Sequence, residues 1–416
     1  MKLVKSLTDP LVKMLDRQLS PESLRPKVRR LEKMGKITKT CVLGYAQKGR
    51  MGRLNHTLHT LSHIWFIVVV ARSIRLLLFD DPNETIYLGD FFSQTKGKEF
   101  LHFLIIVYYL LFFASRAGAH ISEARKPMLM LKFYGKIEKH GFDSMCRLLT
   151  PTKFKNFRIV LYSALQFYFI GIPIIALSLF VLCITFALQT STFYLSIYHS
   201  IWFVFWVIII TGPLALNIYS LFWFYTHFIS LITYCSMSLG CAYDLGGIIQ
   251  SDVGKHLDLL ADYLKRQNKI LNLIRSINCD IGPTAFVGYI IATFLANFSL
   301  FLAIFVTSES NAMKIICFGL AIIAYTNLTL LHFAGTVVHE RLMEIRERNF
   351  SIQARGVNLI PLPMAVWINS TLERIENGEN GISVTHIFVM RQSSFLFFVL
   401  ENSGILMMFV SNFVKS

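Results

Sequence analysis

Charged residues are scarce in this chain, and their scarcity excludes most soluble architectures. Asp, Glu, Lys and Arg make up 16% of the 416 residues, whereas a soluble domain carries about 25%. The stretch 189–199 has no charged residue at all, and hydrophobic residues make up 54% of the chain. This composition indicates a protein whose helices lie in a lipid bilayer.

Cysteine is also infrequent, and its spacing excludes a zinc or thiol-redox site. The seven cysteines form no Cys-x-x-Cys pair and no Cys/His pattern with the spacing of metal ligands. Five of them fall in or beside segments assigned below to the cytoplasm, where thiols stay reduced. Cys183 and Cys317 lie near the outer ends of two apolar segments and could pair, but nothing in the sequence requires it. We therefore expect no metal and no cofactor.

Motifs of enzymes and transporters are missing as well. The sequence has no phosphate-binding loop, no convincing Gly-x-Gly-x-x-Gly and no Ser/His/Asp arrangement. His339-Glu340 begins like a zinc-protease motif, but Met343 stands at the position of the second histidine. No internal repeat supports a secondary transporter. These absences predict a protein that is not an enzyme.

Long apolar runs are what the sequence has in their place. Each approaches or exceeds the roughly 20 residues that a helix needs to cross a bilayer, and each is continuously apolar rather than alternating. The sequence therefore predicts an all-α, polytopic membrane protein with seven transmembrane helices. The runs lie near 58–79, 100–120, 158–188, 200–234, 284–307, 315–338 and 387–414.

The positive charges are sorted to one side of these segments. Of the 41 Lys and Arg residues, 35 lie in the N-terminal leader, in the gaps following segments two, four and six, or near the segment ends that border these gaps. Because cytoplasmic loops retain Lys and Arg, the pattern predicts an N-terminus inside and a C-terminus outside. Because the positive charges lie on the cytoplasmic side, the net charge of +16 indicates contact with anionic lipids of the inner leaflet rather than binding of nucleic acid. Asn83, in the first external gap, begins a glycosylation sequon on the correct side.

The alternation of apolar and polar segments predicts four parts. A basic leader over 1–57 precedes transmembrane helices one to six over 58–338, whose outer halves form the predicted ligand pocket. Residues 339–386, together with 235–283, form a cytoplasmic anchor of helices, because apolar residues recur there at helical spacing between charges. Residues 387–416 contain the seventh helix.

Segment seven carries an acidic residue inside an apolar run. Glu401 shares one helix face with three residues at steps of four, three and four: Ile405, Met408 and Asn412. An acid within a membrane span is costly and usually faces protein or water. If several subunits meet around this helix, Glu401 forms a ring that attracts cations, and the apolar residues form a gate. The alternative is that Glu401 is neutral or pairs within one subunit.

Aromatic residues cluster in the outer halves of the segments. An apolar cleft lined by aromatic side chains is what a site for a small molecule needs. The alternative is ordinary helix packing or an interfacial aromatic belt. The candidate ligand-binding residues are Tyr108, Tyr109, Phe180, Trp202, Trp206, Phe298 and Tyr325.

The layout resembles the insect-type chemoreceptor superfamily, with gustatory receptors as the closest class. The most specific stretch is 381–413, where family members have a similar run that ends in Thr-Tyr, five mostly apolar residues and Gln-Phe. This chain has Ile405-Leu406 in place of Thr-Tyr and Asn412 in place of Gln, and it keeps Phe413.

The resemblance implies a chemosensory, gustatory receptor that acts as a ligand-gated, non-selective cation channel. Members of the family are tetramers in which four copies of segment seven line the pore and the cytoplasmic bundle joins the subunits. Each ligand pocket opens in the outer half of its own helical domain. The implied partners are a small-molecule tastant, membrane lipids and related receptors in a homo- or hetero-tetramer. The implied location is the plasma membrane of a sensory neuron, with several passes.

Two other functions stay open on the sequence alone. A heptahelical G-protein-coupled receptor needs an external N-terminus, which the charge pattern opposes, and the Asp-Arg-Tyr and Asn-Pro-x-x-Tyr motifs are absent. A multi-span membrane enzyme could use a histidine face near the inner end of segment one, formed by His56, His59 and His63. An interfacial helix face explains these histidines better, since a metal-dependent oxygenase needs further clusters.

Overall fold

The computed structural model describes residues 19–41, 43–45, 53–79, 81–90, 92–93, 98–125, 128–142, 148–304, 311–377, 381–384 and 388–413. Within these ranges the chain is a bundle of long α-helices. Labelled in chain order, they are α1 (Pro21–Ile37), α2 (Arg53–Leu78), α3 (Pro82–Tyr87), α4 (Lys98–Arg125), α5 (Leu129–His140), α6 (Pro151–Gln166), α7 (Ile172–Gln189), α8 (Ile197–Ser251), α9 (Leu257–Ile304), α10 (Asn311–Arg355), α11 (Leu362–Glu376) and α12 (Gln392–Phe413).

Six helical stretches in the described ranges are long and apolar enough to cross a membrane. α12 adds a shorter apolar stretch, Leu396–Met408. The prediction of an all-α, polytopic membrane protein is therefore confirmed, whereas the side on which each terminus lies stays a prediction. The six stretches are Thr57–Leu78, Lys98–Ile121, Pro151–Thr185, Ile197–Ser251, Phe286–Ile304 and Cys317–Arg355.

Hydroxyl caps mark where several helices begin. At the start of α1, Ser20 accepts a hydrogen bond from the backbone N–H of Ser23 at 3.2 Å. At the start of α8, Ser196 accepts one from the backbone N–H of His199 at 3.3 Å. Such caps satisfy amide groups that have no partner inside the helix, and each contributes about 1 kcal/mol. The first residues of these helices are thus set by the local sequence.

The third predicted segment is one continuous helical path with a π-helical turn inside it. The turn covers Phe167–Gly171 and joins α6 to α7. Pro173 follows at the start of α7 and has no N–H to donate to the preceding turn. A widened turn just before a proline accommodates this loss of a hydrogen bond.

Buried apolar side chains form two clusters at opposite ends of the bundle. The larger one surrounds α1, α5, α6 and the long continuations of α8, α9 and α10. The smaller one lies among α2, α4, the beginnings of α8 and α10 and the end of α9. Helices α8, α9 and α10 have 55, 48 and 45 residues, so they extend well beyond the length of a membrane span.

The extended ends of α9 and α10 are joined by a buried polar network. Tyr263 Oη donates to Asn349 Oδ1 at 2.8 Å, and Gln267 Nε2 donates to the same oxygen at 3.1 Å. Asn349 Nδ2 returns a hydrogen bond to Gln267 Oε1, also at 3.1 Å. Because each partner is satisfied, the network fixes the register of the two helices. The assignment of this part as a cytoplasmic anchor stays a prediction.

A short β-ladder precedes α12 and ties it to α9. Its strands, β1 (Ser383–Val384) and β2 (Phe388–Val389), pair antiparallel with Val384 opposite Phe388. Asn278 of α9 donates from Nδ2 to the carbonyl of Gly381 at 3.0 Å, and its Oδ1 accepts from the N–H of Ser383 at 3.0 Å. The Asn278 side chain therefore holds the strand that precedes α12 against α9.

Candidate functional site

An apolar cavity lies within the smaller cluster of the bundle. Its volume is ≈ 120 Å³, and it receives side chains from α4, α7, α8, α9 and α10 and from the segment before α4. The cavity therefore lies on the side of the bundle that holds the last residues of α2 and the first residues of α4. This side is the predicted outer one. The lining residues used below are Phe92, Tyr108, Tyr109, Cys183, Leu295 and Cys317.

The size and the lining of the cavity limit its ligand. An engineered protein cavity of about 150 Å³ with apolar walls takes up benzene, whereas drug-sized ligands need about 300 Å³ or more. The described cavity therefore fits a molecule close to a single aromatic ring, or a larger one if its walls move. Its cysteines, Cys183 and Cys317, are both free thiols, so the disulfide left open by the sequence is not formed.

The predicted aromatic ligand residues fall into three places. Tyr108 and Tyr109 line the cavity itself. Tyr109 is almost fully buried, and its hydroxyl donates to the carbonyl of Ile210 at 2.6 Å. Phe298 and Phe180 belong to the apolar cluster around the cavity without lining it. The role of all four in ligand binding stays a prediction.

The two predicted tryptophans lie together at the same end of the bundle but outside the cavity. The indole N–H groups of Trp202 and Trp206 both donate to the backbone carbonyl of Tyr87, the latter at 3.0 Å. The guanidinium of Arg72 lies over the ring of Trp206, 5.2 Å from its centroid. These rings therefore fasten the end of α3 to α8, and their part in ligand binding stays a prediction.

A buried charged cluster adjoins the cavity. Arg72 donates from Nε and Nη2 to the carbonyls of Leu88 and Gly89 at 2.7 and 2.8 Å. Asp90, which is 1% exposed, lies 3.2 Å from Nε2 of the fully buried His102 and accepts from the N–H of Phe92 at 3.0 Å. Burial by itself raises the pKa of Asp90, but the contact with His102 and the positive charge of Arg72 outweigh it and hold that pKa below its ordinary value.

Replacing Asp90 by asparagine is expected to lower the melting temperature of the protein by several degrees at neutral pH. The charged carboxylate stabilises the fold above its unfolded pKa of about 4, and this contribution is lost as the pH falls through the lower folded value. Thermal unfolding in detergent at neutral and acidic pH measures the effect, with Glu99→Gln as a control at an exposed acid of α4. If the melting temperature of Asp90→Asn lies below that of the wild type by the same amount at every pH, the charge of Asp90 does not stabilise the fold.

Three polar side chains, two of them buried and one half-buried, link the helices around the cavity to α12. Tyr325 of α10 donates from Oη to Asn297 Oδ1 of α9 at 2.8 Å. Asn297 Nδ2 in turn donates to Asn402 Oδ1 of α12, and Asn402 Nδ2 donates to the carbonyl of Phe398 at 2.6 Å. Asn297 is fully buried and Asn402 is 4% exposed. We call Tyr325, Asn297 and Asn402 the asparagine clasp.

The clasp changes the interpretation of one predicted residue and adds two others. Tyr325, a candidate ligand residue, uses its hydroxyl in the clasp and does not line the cavity. Asn297 and Asn402 were missed by the sequence analysis. The only sequence signal for them is that each is an amide inside an apolar run, where an unsatisfied polar group is costly.

The predicted pore residues lie on a face of α12 next to the one that carries Asn402, about 90° around the helix axis. Glu401 and Met408 are exposed and Ile405 is half-buried, while Phe398 and Asn402 face the bundle. Asn412 lies in the last turn of α12, and its side chain is outside the described residues. One chain thus leaves an acidic residue uncovered on an apolar helix, which favours a water-filled space or a second subunit beside it.

The remaining predicted positions are a glycosylation site and a histidine face. Asn83 is exposed in α3, at the end of the bundle that holds the cavity. The rings of His59 and His63 lie 4.4 and 5.5 Å from the ring of His120, centroid to centroid, while the side chain of His56 lies outside the described residues. No group of three or more His, Cys, Asp or Glu in the described part of the chain could hold a metal ion.

Comparison with known proteins gives a match to solved structures. No protein-family model matches the chain, and no curated protein matches its sequence. The insect olfactory receptor OR5 from Machilis hrabei in complex with eugenol aligns with a TM-score of 0.64 and 12% sequence identity, over 94% of this chain and 99% of that one. Another structure of the same receptor aligns with a TM-score of 0.64 and 13% identity, over 94% and 97% of the two chains.

The chain has the fold of an insect olfactory receptor. The match extends over nearly the whole of both chains. The all-α, multi-pass fold predicted from the sequence is thereby confirmed. At 12% and 13% identity the likeness concerns the fold, and the roles of individual residues rest on their own geometry.

Proposed function

We propose that the chain is a subunit of a chemosensory receptor that acts as a ligand-gated, non-selective cation channel. The observation that carries the proposal is that α9 serves both candidate sites. Leu295 of α9 lines the cavity, and Asn297, two residues further, binds Asn402 of α12. A molecule that spreads the cavity walls would therefore act on α12 through the same helix.

The proposed ligand is a small apolar molecule that contains about one ring. The cavity of ≈ 120 Å³ has apolar walls with two tyrosines among them. The olfactory receptor OR5 binds eugenol, which is a small aromatic molecule of this kind. We assign the chain to taste rather than smell only on the sequence resemblance, so a tastant is the proposed natural ligand.

The proposed pore is formed by α12 from four subunits in the plasma membrane. Glu401 would supply an acidic ring, with Ile405 and Met408 as the apolar constriction and Asn412 near the outer mouth. This arrangement removes the cost of an exposed acid in lipid, which is about 3 kcal/mol at the centre of a helix. The proposed assembly is a homo- or hetero-tetramer with related receptors.

The proposal is tested by expressing the chain in cells that lack other receptors. Membrane currents are recorded while a panel of small aromatic and apolar compounds is applied one at a time. We expect an inward cation current at negative potential and a tetramer by native gel or light scattering. A tag after Ser416 should be reachable on intact cells. A tag that is reachable only after permeabilisation, together with ligand responses that need a G protein, would favour the heptahelical-receptor alternative instead.

Filling the cavity is expected to raise the ligand concentration needed for half-maximal current by about tenfold or more. Cys183→Phe adds a ring to the cavity wall and occupies the space of the ligand. The matched control is Cys279→Phe, the same substitution at an exposed cysteine of α9. Equal sensitivity in both variants would contradict the cavity as the ligand site.

A further inference from the structure

A second cavity, of ≈ 590 Å³, lies between α1 and α5 at the other end of the bundle. It is an open groove rather than an enclosed space, and Tyr45, Gly135 and Glu138 form part of its wall. Its other lining residues are basic. We call it the basic groove, defined by Arg25, Lys132, Lys136, Lys139 and His140.

The cations of the groove line one space from two helices. Lys132, Lys136 and Lys139 recur at steps of four and three on the exposed face of α5, and Arg25 reaches the groove from α1. Among the residues that the structure describes, none of these four makes an ion pair. The one carboxylate in the lining, Glu138, lies 3.6 Å from the guanidinium nitrogen of Arg29. Like charges this close are destabilising unless an anion joins them.

The floor of the groove is rigid. The opposite face of α5 is fully buried through Leu131, Tyr134 and Ile137. Gly135 lets the chain at Tyr45 come close, because a Cβ at this position would lie 2.8 Å from the Tyr45 carbonyl oxygen. Tyr45 is held in turn by a hydrogen bond from its N–H to Glu32 Oε1 at 2.8 Å. The lysines are thus presented from a fixed helix rather than from a mobile loop.

The groove lies at the edge of the apolar part of α8. Tyr45 Oη is 2.8 Å from His227 Nε2, and Tyr134 Oη donates to the carbonyl of Thr226 at 3.3 Å. Both partners fall within the apolar run 200–234, close to its end. An anion in the groove would therefore sit at the depth of lipid headgroups, at the end of the bundle opposite the apolar cavity.

We propose that the basic groove binds a multiply phosphorylated anion. Ammonium and guanidinium groups donate charge-assisted hydrogen bonds to phosphate oxygens, and several of them converge here on one space. The depth of the groove favours the headgroup of an anionic membrane lipid, such as a phosphoinositide, over a soluble phosphate. This site is independent of the apolar cavity and of channel activity.

The test is direct binding of the purified full-length protein in nanodiscs. Phosphatidylcholine discs with and without phosphatidylinositol bisphosphate are compared by native mass spectrometry, and soluble inositol trisphosphate is added as a competitor. The variant Lys132→Gln, Lys136→Gln, Lys139→Gln is expected to lose about tenfold or more in affinity, because three charge-assisted contacts are removed. The control carries the same change at three exposed lysines of the α8–α9 region, Lys255, Lys265 and Lys269.

The outcomes separate the two sources of the phosphate. Retention of the lipid with weak competition supports a membrane headgroup, and strong competition supports a soluble phosphorylated anion. No preference for the bisphosphate lipid and no binding of the trisphosphate would overturn the proposal. So would an equal loss of binding in the control variant, since bulk charge would then explain it.

Discussion

Replacing Glu401 by lysine is expected to abolish the cation current while the protein still reaches the cell surface. In the proposed pore the substitution turns an acidic ring into a basic one. A unit positive charge about 8 Å from the ion path, at an effective dielectric constant of about 20, opposes a cation by about 2 kcal/mol, or roughly thirtyfold in rate. Four such charges would close the path to cations. Whole-cell current at matched surface expression, with reversal potentials in sodium and chloride gradients, measures the effect.

Two further variants decide how this result is interpreted. Glu401→Gln removes the charge without reversing it, so its single-channel conductance should fall to a value between wild type and Glu401→Lys. Glu373→Lys makes the same change of net charge at an exposed acid of α11 and should leave permeation unchanged. A full cation current through Glu401→Lys at normal surface expression would exclude Glu401 from the pore.

Features set by local sequence were predictable. The first apolar run was expected near 58–79, and the structure gives a span over Thr57–Leu78, because the length of an apolar run is read directly from composition. The helical spacing of apolar residues over 339–386 likewise predicted helices there, and α11 begins at Leu362. In each case the deciding residues are neighbours in the chain.

Features set by contacts between distant residues were not predictable. Asn297 and Asn402 are 105 positions apart, and nothing in either local sequence specifies the other. The surroundings of the aromatic candidate residues were not predictable either. Their helices are apolar on every side, so periodicity does not tell whether Tyr109 faces a cavity or Trp202 faces a neighbouring backbone. The cavity, the clasp and the Asp90–His102 contact therefore required the three-dimensional arrangement.

Replacing Asn402 by leucine is expected to reduce the ligand-evoked current while leaving ligand binding in the cavity unchanged. The variant removes the hydrogen bond from Asn297 and so weakens the connection between the cavity helices and α12. Hydrogen bonds between transmembrane helices contribute about 0.6 to 1.7 kcal/mol, which corresponds to a change of roughly threefold to twentyfold in a gating equilibrium. Ser403→Ala is the control, because Ser403 lies one position away, is exposed and donates its hydroxyl to the Val399 carbonyl of its own helix.

A double-mutant cycle separates the clasp from a general loss of stability. If Asn297 and Asn402 act through one contact, the variant with leucine at both positions should be little worse than either single variant. Two independent structural defects would instead add in full, and both would also lower the melting temperature. A lower maximal current with unchanged cavity binding and strong non-additivity would therefore identify the clasp as the link through which α9 moves α12. Additive losses would mean that these amides only stabilise the fold, and the coupling between cavity and pore would have to run through the apolar contacts of Leu406 with the cluster around the cavity.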